Sequence, residues 1–189
     1  MPLRLEQPEF AVKQKGMVIQ MQFIKPNALY FEEYYHACKE SHENNITEWI
    51  PFELDHYDIW KKQILKVLEN YEKGKDIPDG MPITHTWWCV DDKRFIGEIQ
   101  IRPFLSNEEA QKWGHIAYAV RFTEWGKGYG TKLLRAAVKK INELEVSPIY
   151  VVCHKNNIGS IKVIEKNGGI FQFMFLDEEE CEQNVYRMG

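Results

Sequence analysis

Apolar residues recur along this chain at two periods, and the switches between them outline its elements. Met17-Val-Ile-Gln-Met-Gln-Phe-Ile24 alternates in part at period two and reads as a strand. From Pro26 onward Phe31, Tyr34, Tyr35 and Cys38 return at helical spacing, with Pro26 suited to a first turn. Trp60, Ile64, Val67, Leu68 and Tyr71 share one face of a second helix ending before Gly74, and Pro78-Asp-Gly80 signals a turn. Thr84–Val90 and Arg94–Ile101 then read as a hairpin around Asp91-Asp-Lys93. A polar loop, Ser106-Asn-Glu-Glu109, leads to a third strand, His115–Arg121. Leu133, Leu134, Ala137, Val138, Ile141 and Leu144 mark an amphipathic helix, with Lys132, Arg135, Lys139 and Lys140 largely on its wet side. Pro148–Cys153 is a near-continuous apolar run, as suits a strand covered on both faces. Ile158, Ile161 and Ile164 give a short helix closed by Gly168-Gly169, and Ile170–Phe175 and Gln183–Met188 read as final strands. The order is mixed α/β with a parallel crossover in the middle. Residues 1–16 fit either an arm or an extra edge strand.

Composition narrows the class. A length of 189 residues suits one domain, 1–189, and 44% hydrophobic with 28% charged residues describes an ordinary globular chain. No apolar run approaches the roughly 18 residues that cross a bilayer. Met1–Glu9 lacks a basic region followed by an apolar core, so no secretory signal is visible. Cys38, Cys89, Cys153 and Cys181 are scattered and read as reduced thiols of a cytoplasmic protein. A net charge of −4 without long blocks of one sign disfavours nucleic-acid binding and mildly favours a cationic amine.

The most informative segment is Val120-Arg-Phe-Thr-Glu-Trp-Gly-Lys-Gly-Tyr-Gly-Thr131, which joins a predicted strand directly to a predicted helix. Gly126, Gly128 and Gly130 allow close backbone approach, and the helix that follows offers unpaired N–H groups at its positive end. A pyrophosphate fits there. A turn that merely permits tight strand-to-helix packing is the other reading. The spacing excludes GxxxxGK[ST], since Lys127 stands between glycines, and it does not fit GxGxxG. Nicotinamide cofactors are thereby disfavoured. The six histidines show no metal-ligand spacing, so no metal is expected.

With these residues in view the chain resembles the GNAT superfamily of N-acetyltransferases. Their Q/R-x-x-G-x-G/A signature is matched by Trp125-Gly-Lys-Gly-Tyr-Gly130 except at its first position, and a second family element by Val151–Gly169, with Asn157 at its N-x-x-A/S asparagine. Gly114-His-Ile-Ala-Tyr118 resembles a bacterial subgroup of predicted acetyltransferases. The resemblance implies a mixed, mostly antiparallel sheet splayed at a cofactor cleft and flanked by helices on both faces. It also implies acetyl-coenzyme A as cosubstrate and an amine as acceptor. Pantetheine would pair along Ala119 and Val120, the diphosphate would rest on Trp125, Gly126, Lys127, Gly128, Tyr129, Gly130 and Thr131, and Asn157 would help orient the cofactor. Dimerisation is common in the family, though nothing in this chain encodes it.

Two departures stand out. Trp125 replaces the usual Gln or Arg, and Ile164 stands where many relatives carry a tyrosine that protonates the leaving thiolate. A water or Tyr118 would have to supply that proton. His115 is the first candidate for the base, against the plainer reading of a histidine capping a strand end; Glu98 is the second, against a solvated strand position. Cys153-His154 is no nucleophile pair, because neighbours on a strand point to opposite faces. Trp87-Trp88, Tyr34-Tyr35 and Trp60 serve either the core or an acceptor pocket. The missing tyrosine keeps a second function open, a non-catalytic acyl-coenzyme A binding or sensing module.

Overall fold

The computed structural model describes residues 9–14, 17–46, 57–92 and 94–189. Eight strands form one sheet in the order β1-β2-β3-β4-β5-β6-β8-β7. The strands are β1 Glu9–Gln14, β2 Met17–Ile24, β3 His85–Asp91, β4 Arg94–Ile101, β5 Ile116–Val120, β6 Ile149–His154, β7 Ile170–Leu176 and β8 Glu182–Met188. Of the undecided region 1–16, residues 9–14 are an edge strand antiparallel to β2, and 1–8 and 15–16 lie outside the described residues, as does the side chain of Trp60. All pairings are antiparallel except β5 with β6.

The helices are α1 Phe31–Glu43, α2 Tyr57–Lys73, α3 Asn107–Trp113, α4 Tyr129–Asn142 and α5 Ile158–Lys166. Alternation along β3 sorts the core into two layers. Trp87 and Cys89 pack with Leu133, Leu134, Ala137 and Ile141 of α4, whereas Trp88 and Val90 pack with Phe31, Tyr34 and Cys38 of α1 and Ile64 of α2. Helices therefore cover both faces. Tyr34 stacks on Trp88 at 4.5 Å between ring centroids, and both are buried, so these two aromatics serve the core. The four cysteines form no disulfide. Among the described residues no helix is long and apolar enough to cross a membrane.

Two local readings shift. Helix α1 begins at Phe31, not at Pro26, because Asn27 folds its side chain back to accept from Leu29 N–H at 3.0 Å and holds a turn there. The segment read as a polar loop is the start of α3: Ser106 accepts from Glu109 N–H and Glu109 accepts from Ser106 N–H, a reciprocal cap that Ser-x-x-Glu encodes. At the far edge, β7 leaves Ile170, Phe171, Met174 and Leu176 exposed.

Gly97 sits where β4 crosses under α4. A Cβ there would lie 2.3 Å from the carbonyl oxygen of Ala119 and 3.1 Å from Leu133 Cδ1. Neither neighbour can yield cheaply, since one is backbone and the other is core. Gly97→Ala is expected to destabilise the fold by about 1–3 kcal/mol. Equilibrium unfolding would expose the error if the variant matched wild type within experimental scatter.

Candidate active site

The sheet opens where its parallel pair ends. β5 and β6 are paired at Ile116 and Val151, and His115 N–H donates to Tyr150 O at 2.8 Å. Beyond that point β5 stays with β4 as far as Val120, opposite Gly97, while β6 stays with β8 as far as His154, opposite Gln183. The two strands part, and a cleft of about 1170 Å³ lies in the gap. Arg121 N–H donates to Ile96 O, and alternation from there turns the backbone groups of Tyr118 and Val120 into the cleft. An extended ligand could pair with that edge.

The glycine-rich turn forms one end. Gly126 and Gly128 have φ of 75° and 80°, where an L side chain costs about 1–2 kcal/mol, yet a Cβ on either would meet nothing within 4 Å. Conformation, not space, requires glycine at both positions. Gly130 is constrained by space instead, because its Cβ would stand 3.2 Å from Val163 Cγ2 where α4 packs on α5. Gly128 stands at the N-cap of α4, so the first-turn N–H groups face the cleft without a side chain over them. Asn157 caps α5 by accepting from Ser160 N–H at 2.9 Å, which sets a second helix N-terminus on the opposite wall.

Trp125 takes a role the family pattern did not reveal. Its indole N–H donates to Val120 O at 2.8 Å, so the ring bridges the turn to β5 and occupies one of the strand's cleft-facing acceptors. Glu124 is buried and holds both Arg94, at 3.3 Å, and Lys127, at 3.0 Å. Lys127 thus anchors the turn and is absent from the cleft lining, whereas Trp125, Gly126, Gly128, Tyr129, Gly130, Thr131, Ala119, Val120 and Asn157 all line it.

At the other end lies a polar ladder on one face of β4, buried at Glu98 and half-buried at Gln100 and Arg102. Glu98, opposite Ala119, is 3% exposed, and its Oε1 accepts from Gln100 Nε2 at 2.9 Å. Gln100 Oε1 accepts in turn from Arg102 Nη2 at 3.0 Å. All three line the cleft. Glu98 is therefore not a solvated strand position. Gln100 and Arg102 were not foreseen, although their spacing with Glu98, every second residue, is the strand signal that groups them.

His115 is placed differently. It is 4% exposed, is absent from the cleft lining, stacks on Tyr150, and its Nδ1 accepts from Tyr150 N–H at 3.1 Å. This is the strand-capping arrangement. Tyr118 does line the cleft, with its hydroxyl donating to Ser160 O at 3.3 Å, and burial raises its phenol to about 12. Ile164 is fully buried beneath the same cleft and offers no proton.

A protein-family model of the acetyltransferase (GNAT) domain matches residues 24–170. The chain belongs to the GNAT acetyltransferases. A comparison with curated proteins returned no match. Among solved structures, the microcin C7 self-immunity acetyltransferase MccE, in complex with acetyl-CoA and AMP, superposes with a TM-score of 0.69 at 15% identity, over 88% of this chain and 91% of that one. The ribosomal L7/L12 alpha-N-protein acetyltransferase RimL, in complex with coenzyme A, gives 0.67 at 11%, over 88% and 92%. Ribosomal-protein-S5-alanine acetyltransferase from Vibrio fischeri gives 0.65 at 14%, over 94% and 95%. At these identities the likeness establishes a shared fold, and this GNAT enzyme has the splayed sheet that its sequence predicts.

Two measurements follow from the site. Trp125→Phe removes one hydrogen bond to Val120 and should weaken coenzyme A binding about 2- to 10-fold, read by titration calorimetry. An unchanged Kd would free the turn from any dependence on that bond. Burial pulls His115 below the ordinary histidine value, and His85 likewise. The unfolded chain then holds the proton more readily, so the stabilisation is complete above about pH 6.5 and is lost as pH falls through that value. The Tm of wild type should drop between pH 7.5 and 5.5, and His115→Gln should flatten part of that drop. Parallel Tm curves for the two proteins would show that His115 carries none of it.

Proposed function

We propose that this enzyme transfers an acetyl group from acetyl-coenzyme A to a primary amine, of a small molecule or a protein, by direct attack. The observation that carries the reading is the buried carboxylate of Glu98 on the wall of a cleft that begins at a glycine-rich helix N-terminus. Two neighbours of the same fold hold acetyl-CoA or coenzyme A, which supports the same cosubstrate here. The amides of Gly126 to Thr131 suit its diphosphate. Bound there, acetyl-coenzyme A supplies the activated thioester.

The chain's own groups then divide the work. Val120 O is engaged by Trp125, which leaves Val120 N–H as the donor for a developing oxyanion. Glu98 lies opposite Ala119, one residue away, and takes the proton that frees the amine lone pair. The nitrogen attacks the thioester carbon, the C–N bond forms, the C–S bond breaks, and the nitrogen sheds its second proton, which replaces the one that Tyr118 passes to the thiolate. Tyr118 stays protonated at neutral pH and can return a proton to the thiolate. His115 ranks behind Glu98 because its Nδ1 already accepts from Tyr150.

The buried Ile164 keeps the acyl-coenzyme A sensing module as the second reading. Purified protein, acetyl-coenzyme A and a panel of amines separate the two by release of free thiol above the rate in buffer. Glu98→Gln should lower kcat at least 100-fold with coenzyme A affinity held within about threefold. An undiminished kcat would remove Glu98 from the mechanism. Thermal protection by coenzyme A with no thiol release from any amine would favour the sensing module.

A further inference from the structure

We infer that the acceptor is an amino acid, its amine directed to Glu98 and its carboxylate bound by Arg102; this rests on the acetyl-transfer reading above. The two residues share one face of β4 and one cleft, with Gln100 between them. Arg102 lines the cleft and, among the described residues, has no carboxylate partner of its own. Lys25, Arg94, Lys112, Arg121, Lys127 and Lys155 each have a carboxylate within 4.0 Å. Arg102 has none among the described residues: its Nη1 donates to the carbonyls of Trp113 and Gly114 at 3.2 and 3.3 Å, and its Nη2 to Gln100.

A guanidinium kept from water is stabilised best by an anion, and dipoles alone compensate it incompletely. Burial lowers Arg102 to about 10, and the charge that opposes this shift is the carboxylate of Glu98. Those contacts also aim it. Nη1 is tied to the turn before β5 and Nη2 to the ladder, so the fork is fixed with donors remaining to it. A planar guanidinium held in one orientation suits a carboxylate, which can accept two of its N–H groups.

Spacing sets the size of the acceptor. Through the Gln100 carboxamide, Glu98 Oε1 and Arg102 Nη2 stand no more than about 8.5 Å apart, from hydrogen bonds of 2.9 and 3.0 Å and ordinary amide bond lengths. An amine bonded to one and a carboxylate bonded to the other, lying alongside the ladder, are then separated by no more than about 8 Å. Amino acids with one to four carbons between the two groups meet this span. A protein N-terminus carries its carboxylate far beyond it, and a simple alkylamine has none. Charge opposition also orients the ligand, because the amine reversed toward Arg102 would meet a like charge.

The test compares wild type with Arg102→Gln and Arg102→Lys. In wild type, kcat/KM for 4-aminobutyrate should exceed that for butylamine, and for a C-terminally amidated alanine peptide, by at least tenfold. In Arg102→Gln that preference should shrink to within twofold, with Arg102→Lys intermediate. Butyrate, which carries the anion but no amine, is titrated by NMR into protein saturated with coenzyme A, and its Kd should rise at least tenfold in Arg102→Gln. Thermal unfolding with coenzyme A reports whether each variant is folded; if Arg102→Gln is not, Arg102→Lys and the wild-type preferences decide. Equal kcat/KM for the three amines in wild type, a preference for the amidated peptide, or butyrate binding indifferent to Arg102 would overturn the proposal. Arg102-dependent butyrate binding without thiol release from any amine would sink the acetyl-transfer reading and leave the carboxylate site standing.

Discussion

The site exists because β5 is bonded along one side only. Its register with β4 runs from Ile116 to Val120, yet its pairing with β6 stops at Ile116 and Val151. Backbone donors and acceptors left without a strand partner must find another, and a cleft is the place where a ligand can serve. What prevents the gap from closing is visible at the end of β5. Arg121 binds Glu33 and Glu40 of α1, and Thr123 donates to Glu40 as well. Burial alone would raise the carboxyl of Glu40, but these bonds hold it below its usual value. The strand is thereby clamped to the helix layer on the far side of the sheet, while β6 is held by its six pairs with β8.

That clamp divides the cleft into two chemistries. On the α4 and α5 side, the turn presents backbone N–H groups, with Lys127 turned back to Glu124, and α5 adds the ammonium groups of Lys162 and Lys166. On the α1 side, the wall is side-chain chemistry: a carboxylate, a carboxamide and a guanidinium in sequence along β4. A diphosphate suits fixed dipoles, which cost no reorganisation, and a proposed amine acceptor would need groups that distinguish it from others. The splay is the passage between the two.

Much of this architecture was legible in the sequence because it rests on local rules. Alternation over Met21–Ile24 and the helical period of Leu133 to Ile141 report burial directly, and the turn at Gly126 and Gly128 is encoded by backbone conformations that only glycine takes cheaply. Helix α3 reads as a loop from its polar composition, although Ser106 and Glu109 encode its cap. The acceptor wall was not legible. Whether His115 or Glu98 enters the cleft depends on how β5 meets β6, and the bond from Tyr150 N–H to His115 Nδ1 joins residues 35 positions apart. No local pattern carries that information. Trp125 departs from the family pattern in sequence, and only the fold shows that its indole supplies a polar contact, to Val120 O.

The two departures from the family pattern are linked by geometry. Ile164 lies under the cleft from α5 and offers only packing, while Tyr118 reaches across from β5 to the first turn of the same helix, at Ser160. A phenol in that position approaches the interface of β5 and α5 from the strand side. Tyr118 is also the residue whose backbone faces the gap next to Val120, and Val120 is where Trp125 docks. Both substitutions therefore converge on one strand. In the proposed mechanism β5 contributes the pairing edge, the oxyanion donor and the phenol together, so that chemistry would depend on a single five-residue element being held at the correct angle. A strand so burdened needs rigid support on its bonded side, and the close fit of Gly97 against Ala119 and Leu133 supplies it.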